Sequence, residues 1–184
     1  MKANNKFYKN LSNQFIVEAL LEIMEEKPYS EISVAEITDR AQIARRTFYY
    51  NYKDKDDVIQ EYIQILFLKF KEYIFSHKAK TPQECATIYF KFWKNEKTVI
   101  PLLKKNNLFP LLLEKYESVL APFTADDILR DFHCCLNEKE EKYFKAFNAA
   151  GLWILLDRWI KSGATETPEE MAAIYVKIMG LNLK

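Results

Sequence analysis

The chain runs to 184 residues, 49% hydrophobic and 29% charged, with 27 basic side chains against 26 acidic ones. That length can bury a real core in one or two domains, while a formal net charge of +1 excludes a generally basic nucleic-acid coat protein. Any affinity for nucleic acid must therefore come from a local patch.

Glycine occurs only at 151, 163 and 180, and the apolar spacing is helical almost throughout, so an all-α protein is expected. The N-terminus, M-K-A-N-N-K-F-Y-K-N, is polar and lacks the apolar core of a signal peptide. The longest apolar run, Ala146 to Leu156, is interrupted by Asn148 and too short to cross a bilayer, so a soluble, cytoplasmic chain with no membrane partner is expected. Three cysteines, Cys85, Cys134 and Cys135, make no disulfide framework, which fits a reducing compartment.

A first helix is expected over Ser12 to Lys27, with Phe15, Ile16, Ala19, Leu20, Ile23 and Met24 in one apolar stripe. Before it, Lys2, Lys6 and Lys9 suit either a basic arm lying against phosphates or a frayed, solvated terminus. Pro28 ends the helix. Ser33 is a good N-cap with Glu36 three residues on, a capping box that starts a second helix at Val34. Val34, Ile37 and Ala41 make its inner face, and Glu36, Asp39 and Arg40 its wet one. Gln42-Ile43-Ala44 interrupts the pattern. From Arg45 it resumes, with Phe48 and Tyr52 on one side and Arg45, Arg46 and Tyr49 on another. Between Arg45 and Lys55 four basic residues face the single acid Asp54, so the second short helix is locally positive and rich in donors, suited to phosphates and guanine edges.

The segment from about Leu11 to Ile63 resembles the N-terminal domain of the TetR/AcrR family of transcriptional regulators. That family's hallmark, x-T-[FL]-Y-x-x-[FY]-x-x-K, reads here R-T-F-Y-Y-N-Y-K-D-K. The resemblance implies a helix-turn-helix over about 33–52. Thr47, Tyr49 and Lys55 would hold the DNA backbone, and Arg45, Arg46, Tyr50 and Asn51 would read bases; Ser33 is counted with this DNA-binding set. Two positions depart from the family pattern: Gln42 stands where glycine is usual in the turn, and Ala44 where a serine-like cap is common. The first implies some strain at positive φ, the second a missing cap worth about 1 kcal/mol. Outside this pattern, Arg45 and Arg46 would read as ordinary solvated charges and Tyr49 as a half-buried core aromatic.

A long helix is expected from Lys55 to about His77, joining a head, residues 1–55, to a C-terminal helical bundle domain, residues 56–184. Thr81-Pro82-Gln83-Glu84 carries a cap, a first-turn proline and a capping-box glutamate, starting a helix that runs to about Lys94. Pro101 and Pro110 would break the next stretch into short helices, and Thr124 with Asp127 suggests another start. A further long helix spans about Glu138 to Lys161, closed by Gly163, and Thr167-Pro168-Glu169-Glu170 opens the last, which ends at Gly180.

Between Ala146 and Leu156 the long helix is apolar on nearly all sides, and its small residues admit a second backbone. A two-fold homodimer is therefore expected, with Ala146, Ala150, Trp153, Ile154, Tyr175 and Ile178 at a four-helix interface. A monomeric bundle that buries the same helix is the competing arrangement. Large aromatics crowd the middle of the chain. Phe67, Phe70, Tyr89, Trp93, Phe109, Tyr116 and Phe147 can line an effector pocket, or equally fill a packed core, the commoner fate of aromatics at helical spacing. The resemblance implies a pocket somewhere in this half.

No catalytic constellation assembles. His77 and His133 are far apart, His133-Cys134-Cys135 point in different directions along a helix, and phosphate loops and serine elbows are absent. Neither metal nor cofactor is expected. The chain therefore reads as a regulator, of a family whose members are most often repressors, that binds a near-palindromic operator in double-stranded DNA as a homodimer and answers an effector, small molecule or protein. A helical protein-interaction module that no longer binds DNA is the alternative.

Overall fold

A computed structural model describes residues 2–112, 115 and 137–180 of the chain. Among these residues there is no strand, as the helical spacing requires.

Helix α1, Lys2–Glu26, begins ten residues earlier than the apolar stripe suggests, because neither proline nor glycine occurs before Pro28 to stop it. Ile16, Ala19, Leu20, Ile23 and Met24 are buried at the helical interval; Phe15, at the flank of the stripe, is 44% exposed. After Pro28 comes a single 3₁₀ turn, Tyr29–Glu31. Helix α2, Val34–Arg40, starts with the expected capping box: the Glu36 amide donates to Ser33 Oγ at 3.3 Å, and the Ser33 amide to the Glu36 carboxylate at 2.9 Å.

In the turn that follows, Gln42 adopts φ 53°, the left-handed conformation that favours glycine, and the Ile43 amide returns to the Thr38 carbonyl at 3.0 Å. Ala44 then caps helix α3, Arg45–Asn51, with no side-chain bond. Both departures from the family pattern thus take the forms expected, a positive φ at Gln42 and an uncapped start at Ala44, and the turn closes nonetheless. Tyr52 is extended and ends α3, and Asp54 accepts from the Asp56 and Asp57 amides at the start of α4, Lys55–His77.

The chain divides into two compact units, Met1–Leu66 with Pro101–Leu111, and Phe67–Ile100 with Leu112–Lys184. Helix α4 begins at Lys55 and runs through the division between Leu66 and Phe67. Pro101 does not break the chain but sits in the first turn of α6, Val99–Lys105, where its missing N–H costs nothing. Residues 109–112 are again helical and hold Pro110 in the same way. Buried Asn106 joins this stretch to the head: its Oδ1 accepts from the Tyr29 amide at 2.7 Å, and its Nδ2 donates to the carbonyls of Met24 and Leu102. The expected start at Thr124 and Asp127 lies outside the described residues.

In the second unit, Thr81 Oγ1 caps α5, Pro82–Asn95, but Glu84 reaches back to the amide of Lys80 rather than to that of Thr81. Helix α7, Glu138–Lys161, opens on a capping box of Asn137 and Glu140 and ends near Gly163 at φ 91°. Helix α8, Pro168–Ile178, opens on the box of Thr167 and Glu170. α5 packs most extensively against α8, pinned at the rim by Lys91 and Glu169 at 2.8 Å.

Candidate nucleic-acid interface

The sequence of α3 separates its two faces. Phe48 and Tyr52, four apart, are 0% and 4% exposed and seat the helix on α1 and α2. One residue on, the opposite face carries Arg45 and Arg46, both exposed, with Tyr49 and Tyr50 59% and 72% exposed. The outward face of α3 thus carries two guanidinium groups and two phenol rings side by side in solvent. Neither arginine enters an ion pair among the described residues.

The scaffold under this face is tied by charge. Arg40 holds Glu26 with both guanidinium nitrogens and reaches Glu22 at 3.3 Å, joining α2 to α1. The Arg40 bond holds the Glu26 carboxyl below its ordinary range. Lys27 donates to Glu36, and with Ser33 holds that carboxylate at about 2. Arg40 of α2 and Lys27, just after α1, are thereby paired with carboxylates, while Arg45 and Arg46 of α3 are exposed.

Not every expected contact residue faces outward. Thr47 is half-buried, and Asn51 donates its Nδ2 back to the Thr47 carbonyl at 2.9 Å, so its amide is committed to ending the helix. Ser33 is exposed, but its hydroxyl is engaged with Glu36. Lys55, expected on the DNA backbone, is turned inward. Its ammonium donates to the carbonyls of Tyr29 at 2.6 Å, Ser30 at 3.3 Å and Ile32 at 2.8 Å, and sits 4.6 Å from the centre of the Tyr29 ring. Tyr29 in turn donates its hydroxyl to Asp56; burial first, and then this carboxylate, push its ionisation upward. A capping box is legible from spacing alone, whereas a lysine folded onto carbonyls 23 to 26 positions earlier leaves no local signal.

The aromatics expected to line a pocket do not line one together. Phe67, Phe70, Tyr89 and Trp93 are 0–4% exposed and pack on one another, Phe70 lying 5.9 Å from Tyr89 and 5.7 Å from Trp93, and Phe67 6.2 Å from Trp93. They are core, because rings packed edge-to-face or tilted at these distances leave no room for a ligand between them. Phe109 is half-exposed in the other unit under the Lys104 ammonium, Phe147 is 69% exposed on α7, and Tyr116 lies outside the described residues. An open groove of about 510 Å³ lies elsewhere in the second unit, among His77, Thr81, Glu84, Thr87, Ile88 and Lys91.

The residues expected at a dimer interface divide as well. Ala146, Ala150, Ile154 and Ile178 are exposed. Trp153 instead packs inward, its ring 5.5 Å from that of Trp93, and Tyr175 is buried with its hydroxyl on Asn148 Oδ1. Tyr143, Phe147 and Ile174 are exposed as well, at 64%, 69% and 41%. With Ala146, Ala150 and Ile154 the first two form one helical row, 143-146-147-150-154; splitting the apolar run into inner and outer rows would have found it. Among the described residues, no cluster of three or more His, Cys, Asp or Glu is placed to hold a metal, and no helix is long and apolar enough to cross a membrane.

This arrangement has counterparts among known proteins. Residues 16–62 match the family model of bacterial regulatory proteins of the tetR family, and residues 80–180 match a transcriptional regulator C-terminal region. An uncharacterized HTH-type transcriptional regulator of Bacillus subtilis (strain 168), YxbF, is 21% identical over 164 residues; the match takes in 85% of this chain but 42% of that protein's length. A TetR transcriptional regulator from Streptococcus agalactiae 2603V has the same fold at a TM-score of 0.71, with 19% identity over 97% of this chain and 98% of that one. FadR of Thermus thermophilus, a TetR family transcriptional repressor solved with lauroyl-CoA, aligns at 0.53, with 16% identity over 94% of this chain and 96% of its own.

Proposed function

The chain belongs to the tetR family of bacterial regulatory proteins, and from that premise we propose that it is a homodimeric, effector-responsive repressor that reads a near-palindromic operator with α3. The observation that carries this reading is the outward face of α3, where Arg45, Arg46, Tyr49 and Tyr50 project from a helix whose other side is sealed by Phe48 and Tyr52. Its width suits the major groove; the arginines are the residues to reach guanine edges and Tyr49 a phosphate.

The exposed row on α7, with Ile174 and Ile178 of α8, supports the dimer: rows of large apolar side chains left in water mark a surface meant for a partner. A two-fold pair would set its recognition helices roughly 34–36 Å apart, one turn of B-DNA. An effector held by the second unit would act by favouring one separation of the heads over another.

The test is fluorescence anisotropy with DNA flanking the protein's own gene, across a salt series, backed by selection from a random duplex library. Tight, sequence-selective binding that falls steeply with salt is expected. If no selected duplex bound better than random DNA, the chain would instead be a helical interaction module.

A further inference from the structure

We infer that Lys55 is a positioning residue for the recognition helix and makes no contact with DNA phosphate. The inference rests on the reading of α3 as the DNA-binding surface.

An ammonium has three protons and no acceptor. All three find carbonyl oxygens inside the protein, those of Tyr29, Ser30 and Ile32, and the charge is further held against the Tyr29 ring. A phosphate would have to take protons already engaged. The three carbonyls belong to the 3₁₀ turn and to the residue just before the N-cap of α2. Lys55 is itself the first residue of α4. One side chain therefore closes the chain between Ile32 and Lys55 into a loop, and α2, the turn at Gln42 and α3 all lie inside it. Around the clip, Asp56 takes the Tyr29 hydroxyl and Asn106 its amide, so the anchor point is fixed on both sides of the peptide. With the clip gone, three carbonyls lose their donor and the α3 end of the loop loses its tie to the 3₁₀ turn.

Two variants separate this role from a phosphate contact. Lys55→Met removes the charge and keeps much of the stem. Lys55→Arg keeps the charge but spreads its donors over a rigid planar fork, which serves a phosphate well and cannot aim at three carbonyls around one point. Each full-length variant is titrated with a duplex selected from a random library, and amide exchange over residues 45–52 is measured on the free protein. Both variants are expected to bind roughly tenfold more weakly, with the salt dependence of binding unchanged, and to exchange faster in α3 while α5 and α8 stay as in the parent. Wild-type affinity in Lys55→Arg, together with a salt slope reduced by about one in Lys55→Met, would make Lys55 a phosphate contact and overturn the inference. Unchanged exchange in α3 would overturn it too. Because exchange is read without DNA, a parent protein that bound no duplex would defeat the DNA reading and leave this second arm to decide the clip.

Discussion

Arg40 and Glu26 meet through two parallel N–H donors, each 2.9 Å from a carboxylate oxygen, so the end of α2 is locked to the end of α1 in both position and rotation. With Lys27 and Glu36 doing the same at the other end of α2, the platform beneath the recognition helix is held by carboxylates that must stay ionised.

The head should therefore weaken in acid with a definite sign. Lys27 and Ser33 pull Glu36 from 4.5 to about 2, so its contribution is complete above 4.5 and is lost as pH falls from there through about 2. Glu36→Gln removes the charge while keeping a side chain able to cap. The variant should melt below the parent at pH 7, and the difference should narrow steadily as pH falls from 4.5 toward 2; a gap independent of pH would show that the charge is not what matters.

At the turn, Gln42 pays for a backbone conformation that glycine adopts freely. Gln42→Gly should stabilise the protein by about 0.5–1 kcal/mol, read as a higher urea midpoint at constant slope. Ala44→Ser, which supplies the cap that α3 lacks, should add about 1 kcal/mol. Loss of stability in Gln42→Gly would mean that the glutamine side chain makes a contact worth more than the strain.

On DNA the exposed face should divide into two kinds of residue. Arg45→Ala is expected to relax base choice at one operator position, costing about 1–3 kcal/mol there, while Tyr49→Phe weakens binding to all sequences alike. Library selection repeated with each variant checks the distinction. An unchanged preference in Arg45→Ala would remove that residue from the base-reading set.

For assembly, the two faces of α7 give opposite outcomes. Phe147→Glu places a charge on the outer row and should yield a folded monomer by light scattering at micromolar concentration. Trp153→Ala hollows the core beside Trp93 and should cost about 3–5 kcal/mol of stability. Dimers persisting in Phe147→Glu would sink the outer row as the interface.

What the sequence made legible was local. The caps at Ser33, Thr81 and Thr167, and the two faces of α3, follow from spacings of three and four residues, and the structure has them at those positions. What escaped was any bond across a long stretch of chain: the Lys55 clip, and Asn106 beneath Tyr29. Apolar composition was also silent about partners. Trp153 and Phe147 sit on one run and look alike in sequence, since hydrophobicity says that a side chain avoids water and not which neighbour hides it. Phe70 and Trp93 likewise have each other, the packed-core alternative that aromatic spacing alone left open beside a pocket.

Asn106 has a consequence for how the protein is made. The Tyr29 amide waits for an oxygen 77 residues downstream, so a nascent chain can thread α1 to α3 out of the ribosome without yet completing the buried peptide that anchors them. A graft cut after α4 would carry the recognition helix on that same open amide. The head is encoded first, but it is finished by a residue translated much later.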